Sequence, residues 1–129
     1  MKKFVFWTGV YNIVGGMTFF ISGAVALSKG KFPEPNVWLW TAAAAIVYLG
    51  LALVLCSRNL PARAPLVYWD GILRVVGFFL FSGFGFLGGL GVQLGIMGIV
   101  DLLIGLAYLV GLPKALNTTA VSLLFDRAA

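Results

Sequence analysis

Three charged residues stand inside apolar stretches of this chain, and their types and spacing are the ones that suggest chemistry. Asp101 carries the only charge between Val92 and Leu112. A helix through that stretch would place its carboxylate near the centre of a bilayer, where a charge costs roughly 2.5–3.5 kcal/mol even on insertion scales. A carboxylate at that depth needs a cationic partner, a proton or a water-filled cavity, so Asp101 is a candidate functional residue.

Arg74 and Asp70 supply the other two charges. They are four residues apart, so they share one helix face and can pair. The short connection 87–91 makes their helix the antiparallel neighbour of the helix that carries Asp101. At the rise of an α-helix, Arg74 and Asp101 lie roughly 12 and 16 Å from the same end of the two helices. We therefore predict an Arg74–Asp101 contact, with Asp70 on the interfacial side.

The charges of this group do not cancel, because two carboxylates and one guanidinium leave about one negative charge. Three outcomes would account for the excess negative charge. One carboxyl is protonated, Asp70 is hydrated at the interface, or a cation or cationic ligand joins the group. Asn12 and Tyr48 fall at comparable depth in earlier apolar stretches and complete the predicted polar cluster. Three interpretations are open for the cluster: a latch that pairs helices, a pocket for a ligand or substrate, and a path for protons or ions.

Four apolar stretches must position these residues. The chain is 61% hydrophobic and 10% charged, whereas soluble domains carry about 25% charged residues. Lipid offers the backbone no hydrogen bonds, so stretches of this length are expected to be helices. The predicted fold is all-α, an integral membrane four-helix bundle in one domain (1–129), with Pro113 closing the fourth helix. The predicted spans are 4–27, 38–56, 66–86 and 92–112.

The distribution of lysine and arginine predicts the orientation. Basic residues favour the cytoplasmic side, which places both termini in the cytoplasm and the protein in the cell inner membrane as a multi-pass protein. Tryptophans near the ends of the spans fit aromatic belts at the two surfaces, Trp7 and Trp69 inside and Trp38 and Trp40 outside. The basic residues on the predicted inner side are Lys2, Lys3, Arg58, Arg63, Lys114 and Arg127, against Lys29 and Lys31 outside.

The tail, residues 113–129, is too short for another span. Its apolar residues suit a short helix on the inner interface, and a frayed tail is the alternative. The apolar residues in question are Leu116, Val121, Leu124 and Phe125.

The first and third stretches resemble each other, which predicts a parallel repeat of two helical hairpins. Asn12 takes the place of Arg74 and Thr8 that of Asp70, so the first copy is neutral where the second is charged. Chance similarity is the alternative, because apolar sequences use few residue types. The matching segments are Trp7-Thr8-Gly9 with Trp69-Asp70-Gly71, and Gly50-Leu51-Ala52 with Gly105-Leu106-Ala107.

Several chemistries lack their residues in this sequence. There is no histidine and only one cysteine, Cys56, so the usual ligands of zinc, copper and haem are missing and no cofactor or metal is predicted. No Ser–His–Asp or Cys–His set is present. The net charge of +5 is spread over loops and ends, and without a basic stripe it does not predict nucleic-acid binding.

Two segments carry a family resemblance. Leu73–Gly77, with an arginine in a glycine-rich third span, and Asp101–Leu109 in the fourth resemble small bacterial DoxX-like and BphX-like membrane proteins. The resemblance implies a small accessory membrane protein, of which some are attached to oxidoreductase or catabolic systems. It carries over no active site.

Three functions are compatible with these observations. The lack of a catalytic set favours an accessory protein that resides in the lipid bilayer and binds a partner membrane protein, or its own copies. The second is a small-molecule or hydrophobic-ligand binding or transport protein, with a pocket lined by Asn12, Tyr48, Arg74 and Asp101. The third is a membrane enzyme that acts on a lipid or quinone-like substrate, with Asp101 as acid or base.

Overall fold

The described part of the chain is helical. A computed structural model describes residues 1–30 and 36–126, and no β-strand occurs among them. Four of the helices are long and apolar enough to cross a membrane, which indicates a multi-pass membrane protein. The helices are α1 (Lys2–Ser28), α2 (Asn36–Arg58), α3 (Leu60–Ser82), α4 (Val92–Leu116) and the short α5 (Ala120–Leu124), and a π-helical segment (Gly83–Leu87) follows α3.

Some of the predictions fall outside the described residues. Lys31 and Arg127, two of the basic residues used for the orientation, and the side chain of Trp38 are among them. The orientation of the termini stays a prediction.

The helices form two compact units. The first hairpin, residues 2–58, consists of α1 and α2. The second hairpin, which begins at Asn59, contains α3, the π-helical segment, α4 and α5.

In the first hairpin, glycines bring α1 and α2 together. A Cβ atom on Gly50 would stand 2.6 Å from the carbonyl oxygen of Gly9, and one on Gly9 would stand 2.8 Å from the oxygen of Gly50. Neither position has room for a side chain. Close backbone contact through small residues is the usual way in which helices pack in lipid.

The second hairpin uses the same kind of contact between α3 and α4. A Cβ atom on Gly105 would stand 2.9 Å from the carbonyl oxygen of Gly71. Val67 of α3 and Tyr108 of α4 are fully buried beside this contact.

The two glycine contacts lie at the positions that the predicted repeat aligns. Gly9 corresponds to Gly71, and Gly50 to Gly105. Burial follows the same alignment, because Val5 and Leu53 of the first hairpin are buried like their counterparts Val67 and Tyr108. Each hairpin therefore has the same helix register and a close glycine contact at the same aligned positions.

Two predicted helix boundaries at prolines are wrong. The third helix begins at Leu60 rather than at residue 66 and contains Pro61 and Pro65. Pro61 stands in the first turn, where the backbone N–H has no partner in the helix, whereas Pro65 lies inside the helix. Leu60 and Ala64 are buried, so packing stabilises the additional turns.

Pro113 does not close α4. The helix continues to Leu116 and ends at Asn117, which adopts left-handed dihedral angles (φ 51°, ψ 46°). The carbonyl oxygen of Pro113 accepts hydrogen bonds from the N–H groups of Asn117 and Thr118. A proline removes one helical hydrogen bond, whereas a residue with left-handed dihedral angles ends the helix.

The tail contains a short helix, which is one of the two predicted alternatives. Thr119 caps α5 by accepting a hydrogen bond from the N–H of Ser122 (3.2 Å). Nε1 of Trp69 donates to the carbonyl oxygen of Leu124 (3.1 Å), and Leu123 is buried. These contacts hold α5 against the rest of the second hairpin.

Candidate functional site

Arg74 bridges two carboxylates in the second hairpin. Its Nε donates to Oδ2 of Asp70 at 2.8 Å, and its Nη1 donates to Oδ1 of Asp101 at 2.6 Å. The predicted contact between Arg74 and Asp101 is therefore present. Both are charge-assisted hydrogen bonds, the stronger class in proteins. We call Asp70, Arg74 and Asp101 the charged triad.

The helix register places the triad. Asp70 and Arg74 are one turn apart on α3, and Asp101 faces them from α4. A Cβ atom on Gly105 would stand 3.2 Å from the Cβ of Arg74, so the glycine leaves room for the arginine side chain. The close approach of α3 and α4 thus brings Asp101 within hydrogen-bond distance of the guanidinium.

Tyr108 adds an aromatic contact to the triad. Cζ of Arg74 lies 6.0 Å from the centre of the Tyr108 ring. This distance is at the outer limit of a cation–π interaction, which is more favourable at a desolvated site. The ring is fully buried and covers one side of the guanidinium.

The members of the triad differ in exposure. The side chains of Asp70 and Arg74 are 6% exposed, whereas that of Asp101 is 20% exposed. Oδ2 of Asp101 lies beside Gly77, where a Cβ atom would stand 3.5 Å from it. Oδ1 of Asp101 pairs with Arg74, as Oδ2 of Asp70 does, so each carboxylate has one oxygen atom outside these two ion pairs. Asp101 is thus the more exposed of the two carboxylates in the triad.

The two remaining residues of the predicted cluster, Asn12 and Tyr48, belong to the first hairpin. Asn12 on α1 is buried, and Tyr48 on α2 is 71% exposed. The first hairpin therefore buries one of them and exposes the other. The structure brings together Asp70, Arg74 and Asp101.

The first hairpin carries neutral residues at the positions of the triad. Thr8 corresponds to Asp70, and Asn12 to Arg74; both are buried. Ile46 of α2 corresponds to Asp101. The Thr8 hydroxyl lies 3.0 Å from the carbonyl oxygen of Val5 and 3.1 Å from that of Phe4, so these two contacts stay within α1.

Three contributors were not among the predicted site residues. Gly71 forms the close helix contact, Tyr108 covers Arg74, and the Ser82 hydroxyl donates to the carbonyl oxygen of Gly95 (3.1 Å) to join α3 to α4. Tyr108 could have been found from its helical spacing to Asp101, and Gly71 from its place in the repeat. No sequence pattern indicated the Ser82 bond.

The described residues contain no group of three or more histidine, cysteine, aspartate or glutamate side chains that could hold a metal ion. Comparisons with protein-family models, with curated proteins and with solved structures found no match.

Proposed function

We propose that this protein is a small accessory protein of the cell inner membrane, with both termini in the cytoplasm, that binds a partner membrane complex through its second hairpin. The charged triad is the binding element. A DoxX-like or BphX-like affiliation is part of the proposal and is based on the arginine of the third span and the Asp101 segment.

The comparison between the two hairpins is the observation that carries this proposal. The first hairpin attains the same glycine contact and the same burial pattern with Thr8, Asn12 and Ile46 in place of the charges. A hairpin of this design therefore packs without an ionic latch. Since burying charges is costly and a buried ion pair is often no better than apolar packing, the triad calls for a role beyond holding α3 to α4.

The unbalanced charge of the triad indicates that this role is the binding of a partner. Two carboxylates share one guanidinium, each through one oxygen atom, and Asp101 is the least buried of the three residues. Ionisable groups within membrane spans generally face a protein partner or a polar cavity rather than lipid. A partner that satisfies Asp101 would be held at a defined depth in the bilayer.

A triple variant tests the proposal. Asp70→Thr, Arg74→Asn and Asp101→Ile together give the second hairpin the residues of the first. We expect this variant to accumulate in the membrane with native helicity and to lose the proteins that co-purify with the wild type from gently solubilised membranes. Leu103→Ala is the control, because Leu103 is 63% exposed and lies two residues from Asp101.

Two results would contradict the proposal. If the triple variant retained its co-purifying proteins, the triad would not bind them. If it failed to fold, the triad would be a structural latch after all.

A small cationic molecule is the second candidate for the bound species, and the exposed oxygen of Asp101 favours it. Titration of the purified protein with a lipophilic cation such as tetraphenylphosphonium checks this function. Saturable binding that is lost in Asp101→Asn would support it.

A further inference from the structure

We infer that the partner presents a membrane helix with one lysine or arginine side chain, and that this cation binds Oδ2 of Asp101 at Gly77. The inference rests on the proposed function and specifies the chemical group through which the partner binds. It assigns the contact to one oxygen atom and one face of α3.

The charges of the triad favour a cationic partner. The triad carries one guanidinium for two carboxylates, and both contacts of Arg74 to them are formed, at 2.8 and 2.6 Å. Of the three ways to balance the charge, we take the one in which a cation binds the remaining carboxylate. Within lipid the same pairing offsets the cost of burying the partner's own basic side chain.

The small number of oxygen ligands favours an organic cation over a metal ion. Calcium takes six to eight oxygen atoms, and magnesium requires an octahedron of them. The described residues include no cluster of three or more acidic, histidine or cysteine side chains suited to a metal. An ammonium or guanidinium group, by contrast, needs only one carboxylate oxygen for a charge-assisted hydrogen bond.

The surface of α3 around Gly77 has a shape that suits a second helix. On α3, Gly77 lies between Leu73 and Leu80 at helical spacing, and these two leucines are 50% and 51% exposed. A Cβ atom on Gly77 would stand 3.5 Å from Oδ2 of Asp101, so a larger side chain at this position would lie against that oxygen. An apolar surface with a central glycine suits a second helix, because its backbone can approach the glycine while the leucines contact its side chains.

A pair of glycine variants isolates this contact. Gly77→Leu places a side chain over Oδ2, and Gly15→Leu makes the same change at the equivalent position of the first hairpin, where a Cβ atom meets nothing within 4 Å. We expect Gly77→Leu to reduce the recovered partner at least tenfold and Gly15→Leu to leave it within about twofold of wild type. Equal recovery from the two variants would overturn the inference.

A pair of charge variants tests the chosen oxygen. Asp101→Asn and Asp70→Asn each remove one negative charge, but only the first removes the exposed carboxylate. We expect Asp101→Asn to reduce recovery at least tenfold and Asp70→Asn to reduce it less. An equal or larger loss in Asp70→Asn would place the contact elsewhere.

Cross-linking identifies which class of molecule binds at Gly77. p-Benzoylphenylalanine in place of Phe81, whose ring lies 3.8 Å from a Cβ built on Gly77, should capture a peptide from an apolar helix that contains lysine or arginine. A captured helix without a basic residue, or capture of lipid alone, would overturn the inference.

Loss of the partner in the triple variant but not in Asp101→Asn would refute the inference and leave the proposed function intact. Retention in both would refute the two together.

Discussion

Gly105 of α4 lies directly against Gly71 of α3, so that a Cβ atom at position 105 would stand 2.9 Å from the carbonyl oxygen of Gly71. The same relationship joins Gly50 to Gly9 in the first hairpin. These contacts bring the two helices of each pair close together. In the second hairpin the spacing also decides whether Arg74 reaches Asp101.

Gly105→Ala is expected to destabilise the protein by about 1–3 kcal/mol, because the added methyl group meets backbone that cannot move independently. Denaturant unfolding in detergent micelles, followed by circular dichroism, measures the change. Gly15→Ala is the control and should be neutral or slightly stabilising, since its Cβ meets nothing within 4 Å. Equal stability of the two variants would contradict the close contact between Gly105 and Gly71.

Arg74→Leu is expected to cost about 3 kcal/mol of stability, because it leaves the buried Asp70 carboxylate without its cation. Asp101→Asn should cost less, since the amide oxygen still accepts from Nη1 and the Asp70 bond stays in place. The same unfolding assay compares them. A larger loss in Asp101→Asn would show that Arg74 is not the residue on which the triad depends.

Trp69→Phe should release α5. The substitution keeps an aromatic ring but removes the hydrogen bond to the Leu124 carbonyl, worth about 1 kcal/mol. We expect faster amide hydrogen exchange over residues 120–124 and unchanged exchange in α4. Trp7→Phe is the matched control at the equivalent position of the first hairpin; an identical exchange pattern in both variants would argue against the Trp69 tether.

The count of basic residues predicts a measurable topology. In a variant with Cys56→Ala, a cysteine at Gly30 should react with a membrane-impermeant maleimide added outside the cells, and one at Asp126 should not. The opposite labelling pattern would reverse the orientation. Labelling at both positions would contradict the predicted four crossings.

Much of the helical architecture follows from local sequence. Apolar stretches of bilayer length predict helices because lipid leaves the backbone no other partner, and α1, α2 and α4 begin near the predicted places. The boundaries predicted from prolines were wrong. Pro65 and Pro113 lie inside helices, because packing on either side offsets one lost hydrogen bond.

The amino-acid sequence by itself determined the four apolar helices, and it indicated the repeat and the contact between Arg74 and Asp101, since these depend on composition and helical spacing. Only the tertiary structure decided that Asp101 pairs through Oδ1 and leaves Oδ2 beside Gly77, and that Tyr48 is exposed while Asn12 is buried. Helical spacing places a side chain on a face of its helix. Its rotamer and its exposure depend on how closely the neighbouring helix approaches, and residues distant in the chain set that distance.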